Sequence, residues 1–130
     1  MKGESIDWTI TESAGQLRRR TLSAVELTQE ALARIEAMNP RLNAFITVTA
    51  ERALRDAKTA EREMRQGRYR GPLHGIPISL KDNIWTRGVR TTAGSKILED
   101  FVPPADADVA KRLRNAGAVL IGKTNLHEFA

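Results

Sequence analysis

Cysteine is absent from all 130 residues of the sequence. This excludes disulfides, thiolate metal ligands and a cysteine nucleophile from this chain. Long apolar runs are also absent, and none approaches the roughly 20 residues that a membrane-spanning helix needs. Residues 1–8 lack the apolar segment of a secretory signal. Together these absences favour a cytoplasmic protein without membrane contact.

Basic residues outnumber acidic residues, which gives a formal charge of +5 and an isoelectric point of about 10.1. This balance would suit an anionic partner such as tRNA. Between residues 51 and 65, however, opposite charges stand four residues apart, as they do along a solvated helix. These pairs are Glu51/Arg55, Arg52/Asp56 and Glu61/Arg65. No aromatic residues alternate with the basic ones to stack on bases. Nucleic-acid binding by this segment therefore stays an alternative and not the main interpretation.

The sequence up to residue 66 predicts three helices. Thr9 and Ser23 each precede a glutamate by three residues, which is the spacing of a capping box, and apolar residues at helical intervals follow both. We expect the first helix to end near Arg19 and the second to span 24–38, because Pro40 disfavours continuation. An extended link at 42–49 should lead into a third helix from residue 50 to near Gly67. Residues 9–66 are thus interpreted as a helical lead-in.

An α/β pattern begins at about residue 71. Residues 76–80 and 118–121 are short apolar runs, as buried strands are. A helix between them should be capped by Asp106 or Asp108 and should end before Gly117. Its expected inner face consists of Val109, Leu113 and Ala116. Strand, helix and strand in this order favour a parallel pair.

Two strands do not form a covered sheet by themselves. We therefore expect apolar surface to be exposed on both strands, and we expect the native protein to continue beyond Ala130. The fold class is α/β, and residues 71–130 are interpreted as the start of its core.

Lys81 is the main candidate for chemistry. It follows an apolar strand directly, and functional groups gather beyond the carboxyl ends of parallel strands. Partial desolvation there would lower the pKa of the lysine and produce a neutral amine, which can act as a base toward a serine hydroxyl. A solvated lysine at a strand end is the alternative. Ser79 lies on the same face of the strand, so a local Ser79/Lys81 dyad is also conceivable, although a small residue packed under the sheet is favoured.

The other polar residues do not indicate a metal site or a phosphate site. His74 and His127 are the only histidines, and their separation matches no recognisable metal site. We expect surface or hydrogen-bonding roles for both. Gly122-Lys123-Thr124 lacks the preceding glycine of a phosphate loop, and it is interpreted as a turn from strand to loop.

Several ordered segments, considered together, closely resemble the amidase signature family. They are Gly71–Asn83, Thr91–Ser95, Asp106–Ala118, Ile121–Asn125 and Glu128–Phe129, and Ser23–Leu27 and Asn39–Ala44 resemble the N-terminal helices of the family as well. The resemblance spans about Thr9 to Ala130. It implies a mixed β-sheet covered by helices on both sides, and cofactor-free hydrolysis or transfer at an amide carbonyl.

The resemblance also implies a catalytic set of a nucleophilic serine, a second serine with a cis peptide bond, and a lysine. Lys81 matches the lysine position, and no segment here resembles the Gly/Ser-rich stretch that carries both serines. Residues 1–130 are therefore expected to be the N-terminal fragment of a single amidase-signature domain, inactive by itself.

Besides nucleic-acid binding by this segment, three functions remain open. The full-length protein is either an amidase acting on a small-molecule amide through an acyl-enzyme, or the A subunit of a glutamyl-tRNA amidotransferase, with partner subunits and tRNA. The third alternative is a non-catalytic fragment that packs on a partner.

Overall fold

The computed structural model describes residues 7–130, in which four α-helices and three strands form an α/β fold. The elements are α1 (Ile10–Arg19), α2 (Ala24–Leu42), β1 (Phe45–Val48), α3 (Ala50–Arg65), β2 (Pro77–Lys81), a short 3₁₀ turn (Lys96–Leu98), α4 (Asp108–Asn115) and β3 (Val119–Thr124). Residues 1–6, which carry most of the segment examined for a secretory signal, lie outside the described part. No helix within residues 7–130 is long and apolar enough to cross a membrane.

The first two helices begin where the sequence predicts. Thr9 and Ser23 each form a complete capping box with the glutamate three residues later. In the second box, the Ser23 hydroxyl accepts from the Glu26 N–H and the Glu26 carboxylate accepts from the Ser23 N–H, both at 3.0 Å. These bonds satisfy backbone donors that a helix start leaves unpaired.

The prediction that α2 ends before Pro40 is wrong, since the helix continues to Leu42. Pro40 lies in the last turn, where its missing N–H removes only one helical bond. Asn43, at φ 50°, closes the helix by donating its N–H to the Asn39 carbonyl at 2.7 Å. The Asn39 side chain also accepts from the Phe45 N–H at 2.8 Å and donates to the Phe45 carbonyl at 3.1 Å. The end of the helix is therefore fastened to the start of β1.

The sheet is mixed, with strand order β1-β3-β2. β2 runs parallel to β3, which confirms the predicted parallel pair. The segment interpreted as an extended link contains β1, which pairs antiparallel with β3. Gly122 makes this pairing possible, because a Cβ there would lie 2.7 Å from both Phe45 Cδ1 and the Thr47 carbonyl oxygen.

Two clusters of apolar side chains cover the sheet. The larger one joins α1, α2 and α3 to Val119 and Ile121, and the smaller one joins Ala110 of α4 to Leu80 and Leu120. Since neighbouring residues of a strand point to opposite faces, helices lie on both sides of β3. The expectation of exposed apolar surface is therefore wrong for Leu80 and for residues 119–121, whose side chains are buried.

Helix α4 differs from the prediction at its start. Its N-cap is Ala107, without a side-chain hydrogen bond. The Asp106 carboxylate instead accepts from the Arg87 N–H at 2.7 Å and pairs with Arg114 at 2.6 Å. Val109, which we expected on the inner face of the helix, is exposed. Ala110 is buried instead. The helix ends as predicted, with residue 117 in the left-handed region at φ 79°.

The charged pairs expected on α3 are only partly formed. Arg52 Nε lies 3.6 Å from the Asp56 carboxylate, four residues away, as expected. Glu61 instead accepts a hydrogen bond from the Val25 N–H at 2.8 Å. That carboxylate therefore joins α3 to the first turn of α2.

Candidate active site

Lys81 is the last residue of β2, at the carboxyl end of the parallel pair. Its backbone is in register with Thr124 of β3, and its side chain is exposed. Within residues 7–130, its amine makes no hydrogen bond and no ion pair. The position agrees with the prediction, but residues 7–130 do not supply the partial desolvation that we expected. The amine is available for an external partner.

Ser79 is also exposed, two residues before Lys81 on the same strand. The expectation that it packs under the sheet is therefore wrong for the described chain. No hydrogen bond joins its hydroxyl to the Lys81 amine in the part of the chain that the structure describes. The contact that a Ser79/Lys81 dyad would need is not formed.

Asp82 follows Lys81 and is fully buried. One carboxylate oxygen, Oδ2, accepts from the Thr92 N–H at 3.0 Å and from the Thr92 hydroxyl. Its backbone N–H donates to the Thr124 carbonyl at 3.0 Å, and its carbonyl accepts from the Ala93 N–H at 2.8 Å. Asp82 thus connects the end of β2 both to β3 and to the loop at 91–95.

Lys123 is the residue that sequence reasoning missed. The interpretation of residues 122–124 as a turn is wrong, because all three belong to β3 and Lys123 is fully buried. Its amine donates to the Ile84 carbonyl at 2.8 Å and to the Thr91 hydroxyl at 2.9 Å, and it lies 3.6 Å from Asp82 Oδ1. Burial lowers the pKa of Lys123, and the charge of Asp82 opposes this shift. Its burial depends on contacts with Ile84, Thr91 and Asp82, which are distant in sequence, so no local signal indicated it.

The loop at 91–95 has an unusual backbone. Ala93 and Gly94 both lie in the left-handed region, at φ 50° and 68°. A Cβ on Gly94 would lie 2.9 Å from the Leu126 carbonyl oxygen, so the close approach of the two segments requires glycine. The Ala93 carbonyl accepts from the Phe129 N–H at 2.8 Å. The loop is therefore held against the segment after β3.

Two side chains complete this connection. Ser95 donates to the Glu128 carboxylate at 2.7 Å, and the Asn83 amide donates to the carbonyl of residue 130. The segments around residues 81–83, 91–95 and 121–129, which are far apart in sequence, therefore meet at one end of the sheet.

His74 lies before β2, at the end of the strand opposite to Lys81. It is buried, its Nε2 is 2.9 Å from the Glu63 carboxylate, and its Nδ1 accepts from the Arg70 N–H at 3.2 Å. Burial lowers the pKa of His74, and the nearby carboxylate opposes this shift. Hydrogen bonds from Arg70 hold the pKa of Glu63 below its usual value. The expected hydrogen-bonding role is thus confirmed for His74, and His127 is exposed.

Comparison with protein families matches residues 26–130 to the family described as Amidase. Two relatives are A subunits of glutamyl-tRNA(Gln) amidotransferases. The one from Nostoc punctiforme is 51% identical over 122 residues, which cover 94% of this chain and 25% of the relative. The one from Geobacter metallireducens is 51% identical over 127 residues, which cover 98% of this chain and 26% of the relative.

Solved structures show the same relationship. The peptide amidase from Stenotrophomonas maltophilia superimposes with a TM-score of 0.90 at 44% identity, and the match covers 96% of this chain and 26% of that protein. The chain thus spans about a quarter of the length of the relatives that it matches. With its motifs, its mixed sheet and the extent of the family match, the chain belongs to the amidase signature family and corresponds to its N-terminal part.

Proposed function

We propose that Lys81 is the general base of an amide-hydrolysing centre that uses a Ser–cis-Ser–Lys set, and that residues 1–130 form the N-terminal part of its single catalytic domain. The observation that carries this proposal is the contrast between two lysines on adjacent strands. Lys81 is exposed and makes no polar contact within residues 7–130, whereas Lys123 is buried and its amine already donates two hydrogen bonds. A base must reach the proton that it accepts, and only Lys81 is in a position to do so.

Lys123 must be weighed as a rival, because a lowered pKa is expected of a lysine that acts as a base. Its amine already donates hydrogen bonds to Ile84 and Thr91, and it lies near the Asp82 carboxylate. Structural ion pairs in proteins shift pKa values in the same way. No surface of Lys123 is accessible to a serine or a substrate, so we assign it a structural role.

In the proposed reaction, neutral Lys81 accepts a proton from the bridging serine as that serine deprotonates the nucleophilic serine. The nucleophile then attacks the amide carbon, the C–N bond breaks, and the leaving amine takes the proton that Lys81 returns through the bridging serine. Water hydrolyses the resulting acyl-enzyme. The family pattern places both serines in a Gly/Ser-rich stretch that has no counterpart within residues 1–130. We therefore expect the chain by itself to have no amidase activity, and no cofactor is needed for this chemistry.

The test compares variants of the full-length protein that contains this chain, with simple amides as substrates. Lys81→Ala should lower kcat by about 10²–10⁴-fold, the usual contribution of a general base. Ser79→Ala should leave turnover near that of the unmodified protein, because Ser79 does not contact the lysine. Unchanged turnover in Lys81→Ala would refute the assigned role. Turnover by residues 1–130 alone, lost in Ser79→Ala, would revive the local dyad.

A second candidate function is that of the A subunit of a glutamyl-tRNA(Gln) amidotransferase. It is favoured by relatives of that name that are 48–54% identical, against 44% for the peptide amidase from Stenotrophomonas maltophilia. Partner subunits and tRNA, in a cytoplasmic setting, belong to this proposal. Amide hydrolysis by the purified full-length protein alone favours a stand-alone amidase. Activity that appears only with partner subunits and glutamyl-tRNA favours the amidotransferase.

The third candidate is a non-catalytic fragment that packs on a partner. It is favoured by the groove between α2 and α3, which Leu32, Ile35, Val48 and Leu54 help to line. Sedimentation and thermal melting of residues 1–130 test it. A well-folded monomer with a cooperative transition and no partner would count against this candidate.

A further inference from the structure

A buried pair of opposite charges lies directly beneath the Lys81 segment. Asp82 and Lys123 are both fully buried, and the Lys123 amine lies 3.6 Å from Asp82 Oδ1. Removing two charged groups from water is expensive, and well-packed apolar residues would often serve stability as well or better. Stability alone therefore does not account for this pair, and its position beside the proposed base suggests a use.

The contacts of the pair fix the turn that follows Lys81. The Lys81 carbonyl accepts from the Ile84 N–H at 2.9 Å, which closes the turn after β2, and the Ile84 carbonyl in turn accepts from Lys123. Asp82, the residue after Lys81, accepts both polar hydrogens of Thr92. The turn at 81–84 is thus fixed from β3 by Lys123 and from the 91–95 loop by Asp82.

One carboxylate oxygen of the Asp82–Lys123 pair has no hydrogen-bond donor in the described part of the chain. Asp82 Oδ1 is buried and accepts no hydrogen bond within residues 7–130, although it lies near the Lys123 ammonium. A pair selected for stability alone would be expected to satisfy its buried acceptors. The Lys123 amine instead donates its hydrogen bonds to Ile84, in the turn after Lys81, and to Thr91, in the loop that Asp82 also binds.

We propose that Asp82 and Lys123 are positioning residues, which hold the 81–84 turn so that the Lys81 side chain leaves the end of β2 in one direction. This inference rests on the proposed function of Lys81. The pair makes no polar contact with the Lys81 amine, and it acts only through the turn that follows the base. An error of about 1 Å in the position of a catalytic group can lower a rate by about 10²-fold.

The experiment separates positioning from stability with the neutral double variant Asp82→Asn/Lys123→Met in the full-length protein. Lys123→Met alone leaves a buried carboxylate unpaired, so both its melting temperature and its kcat should fall. The double variant removes both charges and should regain most of the melting temperature. Its kcat should stay about 10²-fold low with KM nearly unchanged, because the Ile84 carbonyl and the Thr91 hydroxyl lose their bonds to β3 and keep only local ones, from Thr86 and to Val89. Lys111→Met, an exposed change on α4, is the matched control and should alter neither quantity.

Amide hydrogen exchange gives a second readout that does not depend on catalysis. The N–H groups of residues 82–84 should exchange faster in the double variant than in the unmodified protein, while those of α3 should not change. If Lys123→Met fails to fold, Asp82→Asn alone is compared with the unmodified protein, both in kcat against melting temperature and in amide exchange at residues 82–84. Recovery of kcat together with the melting temperature, or unchanged exchange at 82–84, would overturn the positioning role.

The two proposals fail in distinguishable ways. If Lys81 is not the general base, Lys81→Ala should keep full turnover. If Lys81 is the base but Asp82 and Lys123 do not position it, the double variant should recover its kcat while Lys81→Ala remains inactive.

Discussion

Replacement of Lys123 by methionine is the change that most sharply tests how the two lysines are assigned. The substitution keeps a long unbranched side chain but removes the amine that donates to Ile84 and Thr91 and faces Asp82. It leaves the Asp82 carboxylate buried with hydrogen bonds only from Thr92. Removing one partner of a buried pair costs about 3–5 kcal/mol. Domains are stable by about 5–15 kcal/mol in total, so this is a large share of the free energy of unfolding.

Urea unfolding of the chain, followed by circular dichroism, measures this cost. Because the free energy falls by about 1–3 kcal/mol per M urea, the midpoint should decrease by at least about 1 M. Lys81→Met is the matched control and should stay within about 0.5 kcal/mol of the unmodified chain, since that side chain is exposed and without polar contacts. A Lys123→Met chain within about 1 kcal/mol of the original would refute the reasoning. A larger loss in Lys81→Met than in Lys123→Met would reverse the assignment.

Three further predictions concern stability, each measured by urea unfolding. Gly117→Ala should lower the free energy of unfolding by at least about 1 kcal/mol more than Gly67→Ala does. Both residues have positive φ, but only at Gly117 would a Cβ clash with a neighbour, at 2.4 Å from His74 Cδ2. Equal losses in the two variants would contradict this. Stability should rise with pH up to about 6.5, because the lowered pKa of His74 lets the unfolded chain bind more protons. This rise should disappear in His74→Gln and persist in the control His127→Gln, so equal slopes in both would count against it. Asn39→Ala removes two hydrogen bonds to the first residue of β1 and should cost about 1–3 kcal/mol; a cost below about 0.3 kcal/mol would show that the bonds are dispensable.

The starts of α1 and α2 could be predicted because local chemistry decides them. A capping box places its donor and acceptor within four consecutive residues, so the signal is complete in the sequence. The end of α2 could not be predicted in this way. Asn39 and Asn43 compensate for Pro40 through contacts with Phe45 and with the helix end, and a prediction from one local rule does not contain those contacts.

The strand β1 was missed for a related reason. Its four residues are aromatic or β-branched, which indicates extended backbone but not a pairing partner. The segment becomes a strand because β3 offers an open edge and Gly122 leaves room for Phe45. The long-range pairing also explains why the sheet is better covered than two strands alone would be.

At the candidate site, the sequence predicted where Lys81 lies but not its surroundings. The end of an apolar strand and the family motif both indicated that residue. The role of Lys123 depends on Asp82 and Thr91, which are far from it in sequence. A lysine after a strand is usually a solvated one, so only the three-dimensional arrangement distinguishes the buried lysine from the exposed one.

The most direct test of the central claim is chemical replacement of the Lys81 amine in the full-length protein. Residues 1–130 contain no cysteine, so Lys81→Cys introduces the only thiol of this part of the protein. Alkylation with bromoethylamine then converts the side chain into a close analogue of lysine. The account predicts that amide hydrolysis is lost in Lys81→Cys, returns after alkylation, and does not change when the unmodified protein receives the same treatment. Full activity in Lys81→Cys before alkylation would contradict it.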